Sequence, residues 1–101
     1  MIGYGALDGV FLTDVSGTTV TENYTLYNKA NGIRLYGKTI GATNNIITWN
    51  VSQGNSAWGI SESGVEIDFN VITDNDVRYN ASGGVQQLGE HSVVSGNVGD
   101  E

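Results

Sequence analysis

One spacing recurs along the chain and limits the folds that it can adopt. Within NIITWNVSQGNSAWGI (45–60), Asn50 is followed by Asn55 and then by Ile60, at intervals of five residues. Almost everything between these positions differs from one copy to the next, so the spacing itself carries the structural information. The same intervals recur in two further triplets, which are Asn23, Asn28 and Ile33, and Asn75, Asn80 and Val85.

Two short motifs interleave through the sequence. One has the form Val/Ile-Thr/Ser-x-Asn, and its copies lie 27, 25 and 22 residues apart; the other is Gly-Ile/Val. The length from each Asn to the next Gly-Ile/Val is constant, whereas the return arc varies, so we expect loops in the return arc. The copies are VTEN (20–23), ITWN (47–50), ITDN (72–75) and VSGN (94–97), and GVFL (9–12), GIRL (32–35), GISE (59–62) and GVQQ (84–87).

Repeats of this length with short apolar strands are typical of a β-solenoid, in which each coil stacks on the last at about 4.8 Å. We therefore predict an all-β fold, a right-handed parallel β-helix of about four coils. It forms a single domain over residues 1–101, which could be a terminal piece of a longer β-helix. Leucine-rich repeats also stack Asn residues, but their consensus needs far more than the five Leu present here.

Stacked coils place equivalent residues above one another. An Asn at a bend tolerates left-handed backbone, and its amide can bond the Asn of the next coil. We predict one Asn ladder inside a bend, a second bend marked by Asn, and two apolar core columns. The ladder is Asn23, Asn50, Asn75 and Asn97; the second bend has Asn28, Asn55 and Asn80; the columns are Val20, Ile47, Ile72 and Val94, and Val10, Ile33, Ile60 and Val85.

The composition of the chain limits the classes of partner that it is expected to bind. The formal net charge is −7, with only four Lys and Arg residues, which argues against nucleic acid and anionic membranes because both need basic surfaces. No apolar run approaches the roughly 18 residues of a membrane span. The chain has no Cys, which excludes a disulfide scaffold and a Cys-based zinc site. No signal peptide is visible at the start.

Several segments resemble one family of polysaccharide-active proteins. SAWGISES (56–63), VITDNDV (71–77) and GGVQQLGEHSVVSGNVG (83–99) resemble the C-terminal coils of the catalytic module of mannuronan C5-epimerases, the alginate epimerases. DGVFLTDVSGTTVTEN (8–23) and NGIRLYG (31–37) are similar to coils just upstream. The resemblance covers nearly the whole chain and implies an extracellular parallel β-helix that contacts acidic polysaccharide.

The chemistry of that family is missing from the sequence. Its Tyr-Gly-x-Asp-Pro-His motif cannot be placed, because the chain has no Pro and a single His, His91. YGALD (4–8) and YGKTI (36–40) begin like the motif and go no further, and the family's calcium-binding nonapeptides are absent. We therefore expect no catalysis by this chain on its own, no catalytic residues and no cofactor.

A basic and aromatic strand face is the predicted substrate-binding site. Arg34, Tyr36 and Lys38 alternate along GIRLYGK, so on a strand they share the outward face, with Phe11 one coil below Arg34. An Arg fork suits a carboxylate and an aromatic ring packs on a sugar, which favours an acidic polysaccharide. The alternative is an ordinary solvated strand face.

Other polar and aromatic residues are weaker candidates. Asp74 and Asp76 could hold Ca²⁺ or share a proton, but their spacing matches no calcium loop, so we expect solvated turn residues and no metal site. Glu62 and then Gln87 fall in the column of Leu12 and Leu35. Either the two polar side chains are buried as a pair or the strand ends before them, and because burial without partners is costly, we expect the strand to end. His91 lacks a named partner, and Trp49 and Trp58 are candidate sugar platforms or interface residues.

Three functions are compatible with the sequence. The first is polysaccharide binding without catalysis. The second is a structural or assembly module, since unpaired edges at the coil ends favour a homo-oligomer, most simply a two-fold dimer. An enzyme with an unfamiliar site is the third. The candidate contacts of the oligomer are Trp49, Trp58, Tyr24 and Val98.

Overall fold

The computed structural model describes residues 2–3 and 7–100, and within them every regular element is a β-strand. The Tyr4–Gly5 dipeptide lies outside the described residues. The strands are β1 (Ile2–Gly3), β2 (Val10–Thr13), β3 (Thr19–Thr21), β4 (Tyr24–Leu26), β5 (Ile33–Gly37), β6 (Ala42–Thr43), β7 (Ile46–Thr48), β8 (Val51–Gln53), β9 (Trp58–Gly64), β10 (Ile67–Asp68), β11 (Val71–Thr73), β12 (Gly83–Gln86) and β13 (Val93–Ser95).

The strands form three main parallel sheets that the chain visits in turn. Sheet 1 stacks β2, β5, β9 and β12; sheet 2 stacks β3, β7, β11 and β13; sheet 3 stacks β1, β4 and β8; a small fourth sheet pairs β6 with β10. Every strand pair is parallel. The path closes about three turns of a solenoid, which confirms the predicted parallel β-helix.

The core contains the two predicted columns and, outside them, the buried Leu35, Ala42, Ile67 and Val77. In sheet 1, Val10, Ile33, Ile60 and Val85 are in register on successive strands. In sheet 2 the register aligns Val20, Ile47, Ile72 and Val94. The four Ile side chains at the middle levels are completely buried, and each contributes about 1.5–3 kcal/mol by leaving water.

The predicted Asn residues of the first bend are joined by hydrogen bonds between coils. The backbone N–H groups of the first three donate to the side-chain Oδ1 of the Asn one coil on, over 2.9–3.0 Å. The residue before each Asn has left-handed backbone: φ is 59° at Glu22, 58° at Trp49, 60° at Asp74 and 69° at Gly96. This bend is the corner between sheets 2 and 3. Its ladder comprises Asn23, Asn50, Asn75 and Asn97.

A second ladder forms the corner between sheets 3 and 1. The backbone N–H of Asn28 donates to Oδ1 of Asn55 at 3.0 Å, and that of Asn55 to Oδ1 of Asn80 at 2.9 Å. Asn55 is only 2% exposed. Asn55 is therefore buried about as completely as Asn50, which is 1% exposed.

A third ladder was not anticipated from the sequence. At the corner that leads into sheet 2, Asn45 donates its backbone N–H to Oδ1 of Asn70 at 3.0 Å, and Asn70 donates its own to Oγ of Ser92 at 3.2 Å. Both Asn side chains are fully buried. The signal for this corner was present, because Asn45 and Asn70 each precede a predicted ladder Asn by five residues.

The variable arc between sheets 1 and 2 carries the loops, as predicted. In one of them, Oδ1 of Asp14 accepts hydrogen bonds from four consecutive backbone N–H groups, those of Lys38, Thr39, Ile40 and Gly41, at 2.9–3.2 Å. These bonds, that of Thr39 above all, lower the pKa of Asp14. One carboxylate thus fixes the whole turn to the coil below.

Candidate functional site

The outer face of sheet 1 brings three of the predicted binding residues together. Phe11 and Arg34 are direct neighbours on β2 and β5, and Tyr36 follows two residues later on β5. The guanidinium carbon of Arg34 lies 5.5 Å from the centre of the Phe11 ring and 4.6 Å from that of Tyr36. The two rings are themselves stacked, with centres 5.8 Å apart. We call these three residues the aromatic–arginine cluster.

Polar neighbours hold the Arg34 side chain in place. Its Nε donates to Oγ of Ser63 on β9 at 2.9 Å, and its Nη1 lies 3.8 Å from a carboxylate oxygen of Asp8. The Arg34 side chain is 32% exposed, whereas that of Asp8 is 8% exposed. Arg34 is therefore pre-oriented by its neighbours while part of its guanidinium still meets solvent.

Lys38 stands apart from the aromatic–arginine cluster. β5 ends at Gly37, so Lys38 begins the loop that Asp14 holds, and its side chain is exposed. The alternation of the strand therefore places Arg34 and Tyr36 on one face but does not extend to Lys38.

Glu62 occupies the Leu column and is buried. β9 runs from Trp58 to Gly64, and Glu62 is in register with Leu35 while only 1% exposed. The expectation that the strand ends before Glu62 is wrong for β9. It does hold one coil on, where β12 ends at Gln86 and leaves the exposed Gln87 outside the strand.

Four hydrogen bonds satisfy the buried carboxylate of Glu62. Oε1 accepts the backbone N–H groups of Leu88 and Gly89, both at 3.0 Å. Oε2 accepts Nδ2 of Asn70 at 2.8 Å and Oγ of Ser92 at 2.7 Å. Burial is tolerated because every bond comes from a donor that needs an acceptor. Glu62 thereby ties the loop between β12 and β13 to the third ladder.

His91 has a partner that the sequence did not reveal. Its Nδ1 lies 2.7 Å from Oδ2 of Asp68, and its ring stacks on Phe69 with centres 4.9 Å apart and an 8° angle. The hydrogen bond from the His91 side chain is the largest cause that lowers the pKa of Asp68. The pair lies at the corner between sheets 1 and 2, away from the aromatic–arginine cluster. Asp68 and His91 are 23 residues apart across a variable arc, so no spacing pointed to the contact.

The two Trp residues have different surroundings. A side chain at Gly83 would come within 2.6 Å of the Trp58 ring, so Trp58 covers the backbone of the next coil and is half-buried. Trp49 projects from the corner between sheets 2 and 3 and is 66% exposed. Trp49 is the more accessible of the two.

Asp74 and Asp76, which flank Asn75, have different surroundings. Oδ2 of Asp76 accepts Nη2 of Arg78 at 2.7 Å, and Oδ1 accepts its Nε at 2.9 Å. The Arg78 hydrogen bond is the main reason that the pKa of Asp76 falls to about 2. Asp74 is exposed at the left-handed position of the bend. Arg78 therefore keeps Asp76 ionised, so Asp76 has no proton to share with Asp74 at neutral pH.

The described residues offer neither a metal-binding cluster nor a membrane-spanning helix. Residues 2–3 and 7–100 contain no group of three or more His, Asp or Glu side chains placed to hold a metal ion. In the same residues no helix has the length and apolar character needed to cross a membrane.

Comparison with known proteins identifies the fold family of the chain. The family model described as right-handed beta helix region matches residues 8–100. A search of curated proteins and a search of solved structures gave no significant match. The match spans the coils on which the three sheets and their ladders are built. The chain is thus a member of the right-handed β-helix family.

Proposed function

We propose that this chain is a non-catalytic polysaccharide-binding segment of a β-helix, with an acidic glycan such as a polyuronate as its ligand. The observation that carries the proposal is the position of the Arg34 guanidinium against the rings of Phe11 and Tyr36 on the outer face of sheet 1. The resemblance of the coils to those of mannuronan C5-epimerases supports the same ligand class.

The chemistry of the aromatic–arginine cluster suits a uronate. The exposed part of the Phe11 ring offers an apolar surface to the C–H face of a pyranose, and Phe11 is 48% exposed. The guanidinium, already held by Ser63 and Asp8, can donate from its remaining N–H groups to a sugar carboxylate. Little rotamer freedom is left to lose on binding, which favours affinity.

Charge makes the proposed binding sensitive to salt. The chain carries a net charge of −7, so a polyanion is attracted only locally, by Arg34 and the exposed Lys38. Attraction between exposed charges is screened within about 10 Å at 0.1 M salt. We expect weak binding at low ionic strength that declines as salt is added.

The four basic residues of the chain provide a matched test. The Arg34→Ala/Lys38→Ala variant should lose most of its affinity for oligomannuronate in calorimetric titration at low salt. The Lys29→Ala/Arg78→Ala variant has the same net charge but leaves the aromatic–arginine cluster intact, so it should bind nearly as the unmodified protein does. If both variants lose the same affinity, net charge alone explains the binding. If the unmodified protein does not bind oligomannuronate, polyuronates are excluded as ligands.

Assembly through a coil end is the second candidate function. Within the described residues, β12 and β13 each pair on one side only, so they present an open edge. Val93 and Val98, on the same coil, are about half exposed. Open parallel edges with apolar side chains beside them favour pairing with another chain.

Sedimentation velocity at micromolar concentration tests the assembly candidate. The unmodified protein should sediment as a dimer, and Val93→Lys should shift it toward monomer, because a charge on an edge strand opposes pairing. Ser56→Ala, an exposed change away from this edge, should leave the dimer unchanged. A monomeric unmodified protein would contradict the candidate without affecting the proposal of glycan binding.

A further inference from the structure

A trough at the corner between sheets 2 and 3 is a second candidate binding site. One wall comprises the left-handed positions of successive coils, Trp49 and Asp74. The other comprises Val51, Asp76 and Val98, which are in register on successive coils. The ladder Asn side chains between the walls turn into the core. They leave an open space of about 300 Å³ that follows the solenoid axis. We call it the Trp49 trough.

Trp49 occupies a position that does not favour it. Its φ is 58°, a left-handed conformation that Gly, Asn and Asp adopt more readily than an aromatic residue. The same position holds Glu22 and Asp74 on the two adjacent coils and Gly96 on the last. The indole is 66% exposed, so it adds little to the core in return for this strain. Other aromatic residues of the chain are also exposed at left-handed positions, so the feature that distinguishes Trp49 is the open space beside it.

We propose that the Trp49 trough binds a linear neutral polysaccharide of β-linked pyranose rings that runs along the solenoid axis. Successive coils repeat at about 4.8 Å, which is close to the rise per ring of an extended β-1,4-linked chain. One sugar per coil can therefore meet equivalent wall residues. Trp49 and Val51 lie on the same coil, so they contact one ring from the two walls, with the indole stacked on its apolar face. Val98 lies two coils further on and contacts the third ring.

The carboxylates of the Trp49 trough set the charge of the ligand. Arg78 donates hydrogen bonds to both carboxylate oxygens of Asp76, which fixes its orientation. No described residue donates a hydrogen bond to the carboxylate of Asp74, so it is available to accept from sugar hydroxyl groups. A second negative charge from a uronate would be repelled here. This site is therefore distinct from the aromatic–arginine cluster in position and in ligand.

Fluorescence titration with cellohexaose tests the inference. In a Trp58→Phe background Trp49 is the only indole, so its emission should change as the sugar binds. Trp49→Tyr keeps a stacking ring and should bind within a fewfold of the background, as measured by calorimetry. Trp49→Asn should weaken binding about tenfold or more through loss of the platform. Because Asn accepts left-handed backbone, its melting midpoint should not fall, which separates loss of binding from unfolding.

Cross-controls separate the two proposed sites. Arg34→Ala/Lys38→Ala should bind cellohexaose normally, and Trp49→Asn should bind oligomannuronate normally. The inference is overturned if millimolar cellohexaose leaves the Trp49 emission unchanged, or if Trp49→Asn binds cellohexaose as tightly as the unmodified protein does. It is also overturned if Trp49→Asn changes the sedimentation coefficient and sugar has no effect, because a second copy of the chain would then occupy the trough. None of these results depends on whether the polyuronate site exists.

Discussion

Replacement of Glu62 with Leu is expected to lower the free energy of unfolding by about 3–5 kcal/mol, although Leu is the residue that the column holds at Leu12 and Leu35. The apolar side chain would fit the column. It would leave one N–H of the Asn70 amide, the Ser92 hydroxyl and two backbone N–H groups of the loop without an acceptor. Each buried donor left unsatisfied costs about 1–3 kcal/mol, which outweighs the gain from one more buried Leu.

Urea denaturation measures the effect of the Glu62 change. Glu90→Leu alters an exposed Glu in the same loop and should change the stability by less than about 0.5 kcal/mol. Glu62→Gln keeps one acceptor oxygen and should lie between the two, which preserves the test if Glu62→Leu does not fold. Amide exchange at Leu88 and Gly89 should accelerate in both Glu62 variants. A Glu62→Leu protein as stable as the unmodified one would show that the column behaves as ordinary apolar core.

Asn50→Ala is expected to cost roughly 2–4 kcal/mol of stability, because Asn50 makes bonds to the coils on both sides. Its Oδ1 accepts the backbone N–H of Asn23 at 3.0 Å, and its Nδ2 donates to the carbonyl of Val20 and to Oδ1 of Asn75. Ala removes the acceptor of the Asn23 N–H and the side-chain donor to the Val20 carbonyl, and it breaks the side-chain link along the corner.

Replacing other ladder Asn residues with Ala tests whether the loss of stability follows burial and the number of bonds between coils. Asn55→Ala should cost about as much as Asn50→Ala, because both side chains are at most 2% exposed and both bond two coils. Asn97→Ala should cost less, since Asn97 is partly exposed and lies on the last described coil. Ser56→Ala is the neutral control. Equal midpoints in urea for all four proteins would contradict the role assigned to the ladders.

Residues that repeat with the coil were predictable from the sequence. The spacing of Asn50 and Ile60 fixed the register in which four strands stack in sheet 1 and in sheet 2. Stacked parallel coils bring equivalent positions together, so a one-dimensional repeat determines a three-dimensional column. The same rule correctly placed Phe11 beneath Arg34. The third ladder could have been found in the same way, because Asn45 and Asn70 lie five residues before Asn50 and Asn75.

Contacts across the variable arc were not predictable. Glu62 breaks the pattern of its column, and its acceptors are satisfied by Asn70, Ser92 and a loop that the repeat does not describe. The pairing of Asp68 with His91 depends on the path of the same loop. Lys38 leaves the strand face because four backbone N–H groups converge on Asp14. In each case a polar group is bonded by a segment whose conformation no local pattern specifies.

The sequence by itself determined the fold class, the strand register and two of the three ladders, because each rests on a spacing that repeats in every coil. Only the tertiary structure decided which polar residues are buried, which cation is held between rings and where the surface is concave. Hydrogen bonds between distant residues stabilise a buried carboxylate such as Glu62. The Trp49 trough likewise exists because the ladder Asn side chains turn inward, an orientation set by bonds between coils.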